Sequence, residues 1–376
     1  FLLWTIIRFA LGDQFDVVAL RDVAPYVYSA LGILSAAALA RSTADQRRRT
    51  GQVLVAALGI HAGWVLLSTV VPGLSRAMPV VSASLDIRVF EVRPDFDTAV
   101  VGVFAAWLLV RLMTGTRRPG LTGLALFGCA VAILLTESRA GLMGALVAVV
   151  LGFVVGLKAS GPSTRRKAAA LGLLPVVLAT VAVAIPQTVI GDRLLGTLGD
   201  ATSESSANAN GTTEARDRTW AYLLDYSASD TTRNLLGVGY GPNFLSETGA
   251  GDLLVGTAEE SEDKPRSPHN YWLGTLLRGG LVAVILFAVM VLLVLVRTRL
   301  LIKEMAEVDL LFVAAAVPLS LLIPATLGVV LESPFGAVPF FWTCGVLLSW
   351  PRPSSSAFDG APRERQSEPA DSGARW

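Results

Sequence analysis

Long apolar blocks separated by short polar segments run along the chain of 376 residues. The blocks are roughly 17–25 residues long, which is the length that a helix needs to cross a bilayer. Apolar residues follow one another within each block, whereas the strands of a membrane barrel alternate between apolar and polar positions. The pattern therefore predicts an all-α polytopic membrane protein. The predicted full spans are 23–40, 51–71, 98–114, 120–136, 140–157, 168–190, 271–296, 308–330 and 335–350.

The first apolar block, "FLLWTIIRFA", is about half as long as a full span. We interpret it as the end of a truncated helix, which gives a bundle of about ten transmembrane helices. The composition agrees with this class, because 53% of the residues are hydrophobic and only 16% are charged. A soluble domain of this size does not need so much apolar surface.

The polar connections between the spans alternate between a basic type and a mixed or acidic type. The basic connections are "RSTADQRRR" (41–49), "RLMTGTRRPG" (111–120), "KASGPSTRRK" (158–167) and "RTRLLIK" (297–303). The positive-inside rule places all of these in the cytoplasm, on one side of the membrane. The other connections, at 72–97, 137–139 and 191–270, then lie outside, which is consistent with the number of spans.

Four regions follow from this topology. Residues 1–190 are predicted to form N-terminal transmembrane helices, 191–270 a large extracytoplasmic loop with short helices, and 271–350 the C-terminal transmembrane helices. Residues 351–376 are rich in Pro, Ser, Glu and Arg and lack an apolar face, so we expect a disordered cytoplasmic tail.

Net charge and cysteine content argue against several classes of function. A formal charge of +1 provides no basic field for nucleic acid. The two cysteines, Cys129 and Cys344, lie in separate apolar blocks, so neither a disulfide framework nor a cysteine metal cluster is expected. The sequence predicts no metal site and no cofactor.

The extracytoplasmic loop contains one segment with helical character, "TTEARDRTWAYLLDY" (212–226). Thr212 or Thr213 is a suitable N-cap for such a helix. The stretch before it is rich in Ser, Asn and Thr, and we expect it to be mobile.

Two arginines of this helix point in different directions. Arg216 and Trp220 are four residues apart, and we place Leu223 and Leu224 on the same face. Arg218 lies about 200° around the helix from Arg216. Arg216 is therefore predicted to face the membrane domain, whereas Arg218 points away from it.

The alternating glycines of "GVGYGPNF" (237–244) follow this helix. A dinucleotide-binding fingerprint requires a strand before the glycines and a helix after them. Pro242 and Asn243 come next instead, so the pattern favours a turn that lets the backbone pass close to another segment.

His269 is one of two histidines and stands at the boundary between the polar loop and an apolar block. Ser267 and Pro268 are a suitable N-cap and N1 pair, which would place His269 in the first turn of the next helix. The positive end of the helix dipole disfavours imidazolium, so a neutral general base is one hypothesis. Interfacial anchoring together with Tyr271 and Trp272 is the alternative.

Several other polar residues lie near or within the predicted spans. Arg139, in the tight turn "ESR", is suited to bind a phosphate; the alternatives are that it pairs with Glu137 or extends its guanidinium to the membrane–water interface. Arg93 and Arg88 are on the same outer side, where pairing with nearby acidic residues is the alternative to substrate binding. His61 lies within a span, where a hydrogen bond between helices is the usual role.

Four short motifs in this order resemble the O-antigen ligase and polymerase superfamily of bacterial envelope glycan assembly. The motifs are "TESRAG" (136–141), "RDRTW" (216–220), "GVGYGPNF" (237–244) and "PHNYWLGTLLRGGL" (268–281). The family often has an Arg–Gly–Phe–Asn-like segment before the helix at 98, whereas this chain has "VRPDFD".

The resemblance implies a metal-independent, inverting glycosyltransferase of the bacterial cytoplasmic (inner) membrane. Its donor would be a glycan on undecaprenyl pyrophosphate, and its acceptor a hydroxyl of a glycan, a lipid-linked sugar or a protein. Carried over by motif, Arg139 and Arg216 would hold the pyrophosphate and His269 would activate the acceptor. We expect the substrate-binding group to include Arg218, Arg93, Trp220 and Asn270 as well.

Two other classes remain open from the sequence. A transporter or flippase of lipid-linked glycans would line its path with the same arginines, but it usually carries charges deep within its spans. A non-catalytic subunit of an envelope assembly complex would tolerate loss of all three candidate residues. The motifs do not separate a ligase from a polymerase, because both use the same donor and the same chemistry.

Overall fold

The computed structural model describes residues 1–12, 15–71, 73–74, 77–82, 87–88, 90–159, 204–251 and 266–351. Several predicted features lie outside these residues. They are the span at 168–190, most of the basic segment 158–167, the loop stretches 191–203 and 252–265, and the tail from residue 352 onwards.

The described residues are mainly helical. The α-helices are α1 (Leu2–Ala10), α2 (Val17–Val27), α3 (Ala30–Arg41), α4 (Ala44–Val70), α5 (Pro94–Thr114), α6 (Pro119–Leu135), α7 (Arg139–Ala159), α8 (Glu204–Ala228), α9 (Thr231–Leu236), α10 (Phe244–Thr248), α11 (Tyr271–Leu301), α12 (Asp309–Leu327) and α13 (Pro334–Ser349). Short 3₁₀ turns lie at Glu304–Ala306 and Val330–Glu332. A two-stranded antiparallel ribbon pairs β1 (Val80–Ser82) with β2 (Ile87–Arg88), with Val80 opposite Arg88.

Six helical segments of the described chain are long and apolar enough to cross a membrane, judged by length and composition. They are Val17–Arg41, Ala44–Val70, Pro94–Thr114, Arg139–Ala159, Tyr271–Leu301 and Asp309–Leu327. The apolar helices Pro119–Leu135 and Pro334–Ser349 are shorter. Each of these helices overlaps a predicted span, so the helical membrane class is confirmed apart from the short ribbon, while the total of about ten spans stays a prediction.

Small residues allow three central helices to approach closely. A Cβ added to Gly102 of α5 would lie 2.3 Å from Cα of Ala145 in α7. A Cβ on Gly144 would lie 2.5 Å from the carbonyl oxygen of Ser320 in α12, whose hydroxyl donates to the carbonyl of Ala99 at 3.0 Å. Helices in lipid associate through such small-residue contacts, because apolar burial alone does not drive them together. The three helices form the framework that positions the polar residues at their ends.

Helix α11 is interrupted at Gly280, where φ is 71° and ψ is −175°. Next to this break, the carbonyls of Leu277 and Arg278 accept hydrogen bonds from the glycine turn 237–244. Val238 N–H donates to Leu277 at 2.7 Å, and Gly239 N–H donates to Arg278 at 3.0 Å. The turn predicted from "GVGYGPNF" is therefore a close backbone crossing over α11.

Helix α1 covers this crossing from the other side. The indole N–H of Trp4 donates to the carbonyl of Gly279 at 2.8 Å, and Arg8 donates to the carbonyl of Gly237 at 3.0 Å. The N-terminal block therefore packs against the loop and the interrupted helix through specific polar contacts.

The structure corrects two predictions about the loop helix α8. The helix begins at Glu204, so Thr212 and Thr213 lie within it and do not cap it, and part of the stretch expected to be mobile is helical. Leu223 is buried, but Leu224 is 50% exposed. Leu224 is one position, about 100°, further around the helix than Leu223, which turns it away from the packed face.

Candidate functional site

One end of the bundle, called the site end below, brings together the first residues of α5, α7 and α11 and the last residues of α12. The turn between α6 and α7 is tight because Glu137 adopts φ 55°, which reverses the chain within two residues. Ser138 then accepts a hydrogen bond from Gly141 N–H at 2.8 Å, and its hydroxyl donates to Asp95. This contact ties the start of α7 to the first turn of α5.

Arg139 is the first residue of α7, and its side chain reaches the loop helix. Its guanidinium contacts the hydroxyl of Thr213 at 3.5 Å, which is a long contact for a hydrogen bond. The residue is half-buried. Arg139 therefore lies between the membrane helices and α8, where the sequence expected a phosphate-binding group.

Arg216 of α8 points to the same end of the bundle. It is half-buried, and its guanidinium donates to the carbonyl of Leu327, the last residue of α12, at 2.9 Å. Burial lowers the pKa of Arg216, and the nearby Asp95 carboxylate acts in the opposite direction. A guanidinium stays protonated under these conditions, so the site holds a partly desolvated cation.

His269 lies between α8 and α11, in a segment fixed on both sides. Trp220 of α8 donates its indole N–H to the carbonyl of Pro268 at 2.7 Å. The hydroxyl oxygen of Ser267 accepts the backbone N–H of His269 at 3.1 Å. These two contacts hold the histidine at the site end.

The predicted N-cap of α11 is wrong by three residues, although the predicted span 271–296 begins at the same residue as the helix. Asn270 is the N-cap, since its side chain accepts Leu273 N–H at 3.1 Å, and the helix begins at Tyr271. Ser267 and Pro268 are therefore not the N-cap and N1 residues, and His269 is not in the first turn. His269 instead adopts φ 54°, a left-handed conformation that is uncommon outside glycine.

Burial is the main cause that lowers the pKa of His269, and the positive charge of Arg216 lowers it further. The Asp95 carboxylate acts in the opposite direction. The lowered pKa keeps the imidazole neutral near neutral pH, which is the state that can accept a proton. Neutrality was expected from the dipole of α11, but the structure attributes it to burial and to Arg216.

The remaining predicted residues have other partners. Arg218 is exposed and pairs with Glu214 at 3.2 Å, so it does not join Arg139, Arg216 and His269 at the site end. The guanidinium of Arg93 lies 4.3 Å from the ring centre of Phe335. Trp220 and Asn270 make the backbone contacts described above, which position the segment that carries His269.

Two further candidates from the sequence are separate from this cluster. The guanidinium of Arg88 donates to the carbonyl of Met78 at 3.3 Å. His61 approaches Asp97 with 3.0 Å between Nε2 and Oδ1, although its N–H is not aligned for a hydrogen bond. The contact joins α4 to α5, but it is not the interhelical hydrogen bond that the sequence predicted for His61.

The sequence analysis missed Asp95 and a network of buried charges beside the His269 segment. Asp22 of α2 binds Arg266 at 2.7 Å and Arg278 at 2.9 Å. Glu332 faces the same group, and its carboxyl interacts with Ser267. Charged residues within the apolar segments "ALRDVAPY" and "LLRGGL" could have indicated this buried network, because charges in such segments usually pair with one another.

The described residues contain no group of three or more His, Cys, Asp or Glu side chains arranged to hold a metal ion. Cys129 and Cys344 are both buried free cysteines, consistent with their apolar surroundings in the sequence.

Comparison with known proteins gives one family. A family model described as O-antigen ligase matches residues 124–288, which include Arg139, Arg216 and His269. No curated protein matches the chain. The match confirms, over residues 124–288, the resemblance to the O-antigen ligase and polymerase superfamily that the four motifs indicated.

Proposed function

We propose that the protein is a membrane glycosyltransferase that moves a glycan from undecaprenyl pyrophosphate to an acceptor hydroxyl in the assembly of cell-surface polysaccharide. One observation carries this proposal. Arg139, Arg216 and His269 come from three distant parts of the chain, and the fold brings their segments to one end of the bundle. Each of the three also lies in the region that matches the O-antigen ligase family.

The two arginines would bind the pyrophosphate of the donor. Guanidinium groups form bidentate hydrogen bonds with phosphate oxygens, and Arg139 stands at the N-terminus of α7, where the helix dipole also favours an anion. A pyrophosphate lipid leaves readily once its charge is neutralised, so two cations can perform this part of the reaction without a metal ion.

His269 would act as the general base. In a direct displacement, the acceptor oxygen forms a bond to the anomeric carbon, the bond from that carbon to the pyrophosphate oxygen breaks, and the acceptor proton passes to His269. The leaving group departs on the face opposite the attack, so the anomeric configuration is inverted. The lowered pKa of His269 favours this role, because the imidazole is unprotonated before the acceptor arrives.

The membrane arrangement is part of the proposal. About ten spans would cross the bacterial cytoplasmic membrane, with 191–270 outside and the C-terminal tail in the cytoplasm. The arginine-rich start of α4 lies at the end of the bundle opposite the site end, where Arg47 contacts the ring of Trp350 at 5.6 Å. This separation supports an extracytoplasmic site.

Purified protein with an undecaprenyl-pyrophosphate glycan tests the proposal in the presence of a metal chelator. We expect transfer to an acceptor, and a fall of about 10²–10⁴-fold in kcat for His269→Ala, the range that a general base contributes. Arg139→Ala and Arg216→Ala should also lose transfer. Arg218→Ala is the matched comparison, because this arginine lies two residues from Arg216 but is exposed, so its loss should be far smaller.

Two outcomes would support other functions, and a further result would separate a ligase from a polymerase. Movement of the lipid-linked glycan across a vesicle membrane with no bond formed would favour a transporter. Absence of transfer by the purified protein, together with normal polysaccharide assembly in cells that carry alanine at all three positions, would favour a non-catalytic subunit. A product ladder from the donor alone would identify a polymerase, whereas a requirement for a separate acceptor would identify a ligase.

A further inference from the structure

Asp95 lies in the first turn of α5, between the groups of the proposed site. One carboxylate oxygen accepts the hydroxyl of Ser138, the residue before Arg139. The other lies beside Gly328, where an added Cβ would be only 3.1 Å from Oδ2. Gly328 follows Leu327, whose carbonyl binds Arg216. Asp95 and Arg216 therefore both lie at the C-terminal end of α12.

The charges around His269 come from several elements. Arg216 faces it from α8 and Asp95 faces it from α5. Arg139 lies at the start of α7, and Glu332 interacts with Ser267 on the same segment. Burial and Arg216 both oppose protonation of the imidazole, and Asp95 is the group that favours it. Without a negative charge in this position, a buried histidine next to arginines would be a poor proton acceptor.

We infer that Asp95 is a positioning residue for the transfer reaction, whose carboxylate stabilises the imidazolium that forms when His269 takes the acceptor proton. This inference rests on the proposed function. Ser138 fixes the carboxylate by its hydrogen bond, so the negative charge is in place before the proton moves. The proton goes from the acceptor hydroxyl to the imidazole, and the carboxylate keeps its own charge throughout.

Two simpler roles for Asp95 predict different behaviour. If Asp95 only holds Ser138, then Asp95→Asn keeps an oxygen acceptor for that hydroxyl and leaves catalysis unchanged. If Asp95 only balances the charge of Arg216, then Asp95→Asn strengthens donor binding and lowers the donor KM without changing kcat. Stabilisation of imidazolium instead predicts a fall in kcat with the donor KM little changed.

The first experiment measures protonation of His269 without turnover. The chain has only two histidines, so isotope-labelled imidazoles of the intact protein in detergent micelles give two NMR titration curves. We expect Asp95→Asn to move the titration of His269 to lower pH. Asp97→Asn is the matched control, because Asp97 lies in the same helix but 3.0 Å from His61, and it should leave the titration of His269 unchanged.

The second experiment measures transfer by the same variant. We expect kcat to fall roughly ten- to a hundredfold, a part of the contribution of a general base, and the acidic limb of kcat/KM to move to lower pH. Asp95→Glu, which restores the charge, should recover part of the loss.

An unchanged His269 titration in Asp95→Asn would overturn the inference, whatever the activity. Unchanged kcat despite a moved titration would also overturn it. Absence of transfer by the unmodified protein would instead overturn the proposed function, and the NMR result would still stand by itself.

Discussion

Glu332 should make the stability of the protein depend on pH. It ends the 3₁₀ turn between α12 and α13, and its Oε1 atom is buried without a hydrogen-bond partner among the described residues. Burial raises the pKa of Glu332 from 4.5 to about 7, although Ser267 and Arg278 favour the ionised form. Asp22 adds to the increase through its negative charge. The folded protein therefore holds a proton on this carboxyl that the unfolded chain releases.

The magnitude follows from the difference between the two pKa values. Each pKa unit corresponds to about 1.4 kcal/mol, so the increase from 4.5 to about 7 amounts to roughly 3 kcal/mol. Because the folded state binds the proton more tightly, stability is highest below pH 4.5 and falls as the pH rises through about 7. Glu332→Gln carries no charge in either state. The stability of this variant relative to the unmodified protein should therefore increase between pH 4.5 and about 7 and level off at higher pH.

Thermal unfolding in detergent micelles, followed by tryptophan fluorescence at several pH values between 4 and 9, measures this difference. The matched control is Glu307→Gln, since Glu307 is an exposed glutamate in the connection before α12. That variant should show a difference from the unmodified protein that does not change with pH. The reasoning would be refuted if the stability of Glu332→Gln relative to the unmodified protein stayed constant between pH 5 and 8, or decreased as the pH rises.

Three further predictions concern the parts that hold the site together. Asp22→Asn removes the negative charge between two partly or fully buried arginines and should destabilise the protein by about 3–5 kcal/mol in thermal unfolding; a loss below about 1 kcal/mol would contradict this. Gly280→Ala should eliminate the peak of folded protein in gel filtration, because φ is 71° and the added Cβ would lie 2.1 Å from a backbone oxygen. The control Gly123→Ala should fold normally, because its added Cβ has no atom within 4 Å. Trp220→Phe removes one hydrogen bond to the segment carrying His269, a change of roughly 1 kcal/mol, and should lower kcat more than it changes KM; an equal change in both would argue against a positioning role.

The helical spans could be predicted because each is determined by its own residues. The prediction at 98–114 agrees with α5 at its C-terminal end, but the helix begins at Pro94. The predicted bounds left Asp95 and Asp97 in the connection 72–97. Acidic residues are favourable in the first turn of a helix, where they interact with the positive end of its dipole, and proline is common at N1. Asp95 and Asp97 therefore belong to the first turn of α5.

The N-cap of α11 could not be assigned from local sequence, although the predicted span 271–296 begins at the observed residue. Ser267 and Asn270 are both good N-cap residues, so the sequence offers two starts of similar quality. The indole of Trp220 binds the carbonyl of Pro268, which holds the chain in a non-helical path before Asn270. A contact between residues 48 positions apart thus selects the cap and sets the place of His269.

The sequence by itself indicated the membrane class, the resemblance to the O-antigen ligase family over residues 124–288 and the candidate residues Arg139, Arg216 and His269, because apolar block length and short motifs are local properties. Only the tertiary structure decided that Asp95 lies near them, whereas helix geometry had already predicted that Arg218 points away from Arg216. Electrostatic interactions depend on distance and burial, and the fold brings together segments separated by more than a hundred residues. The environment that keeps His269 neutral is therefore a property of the folded bundle.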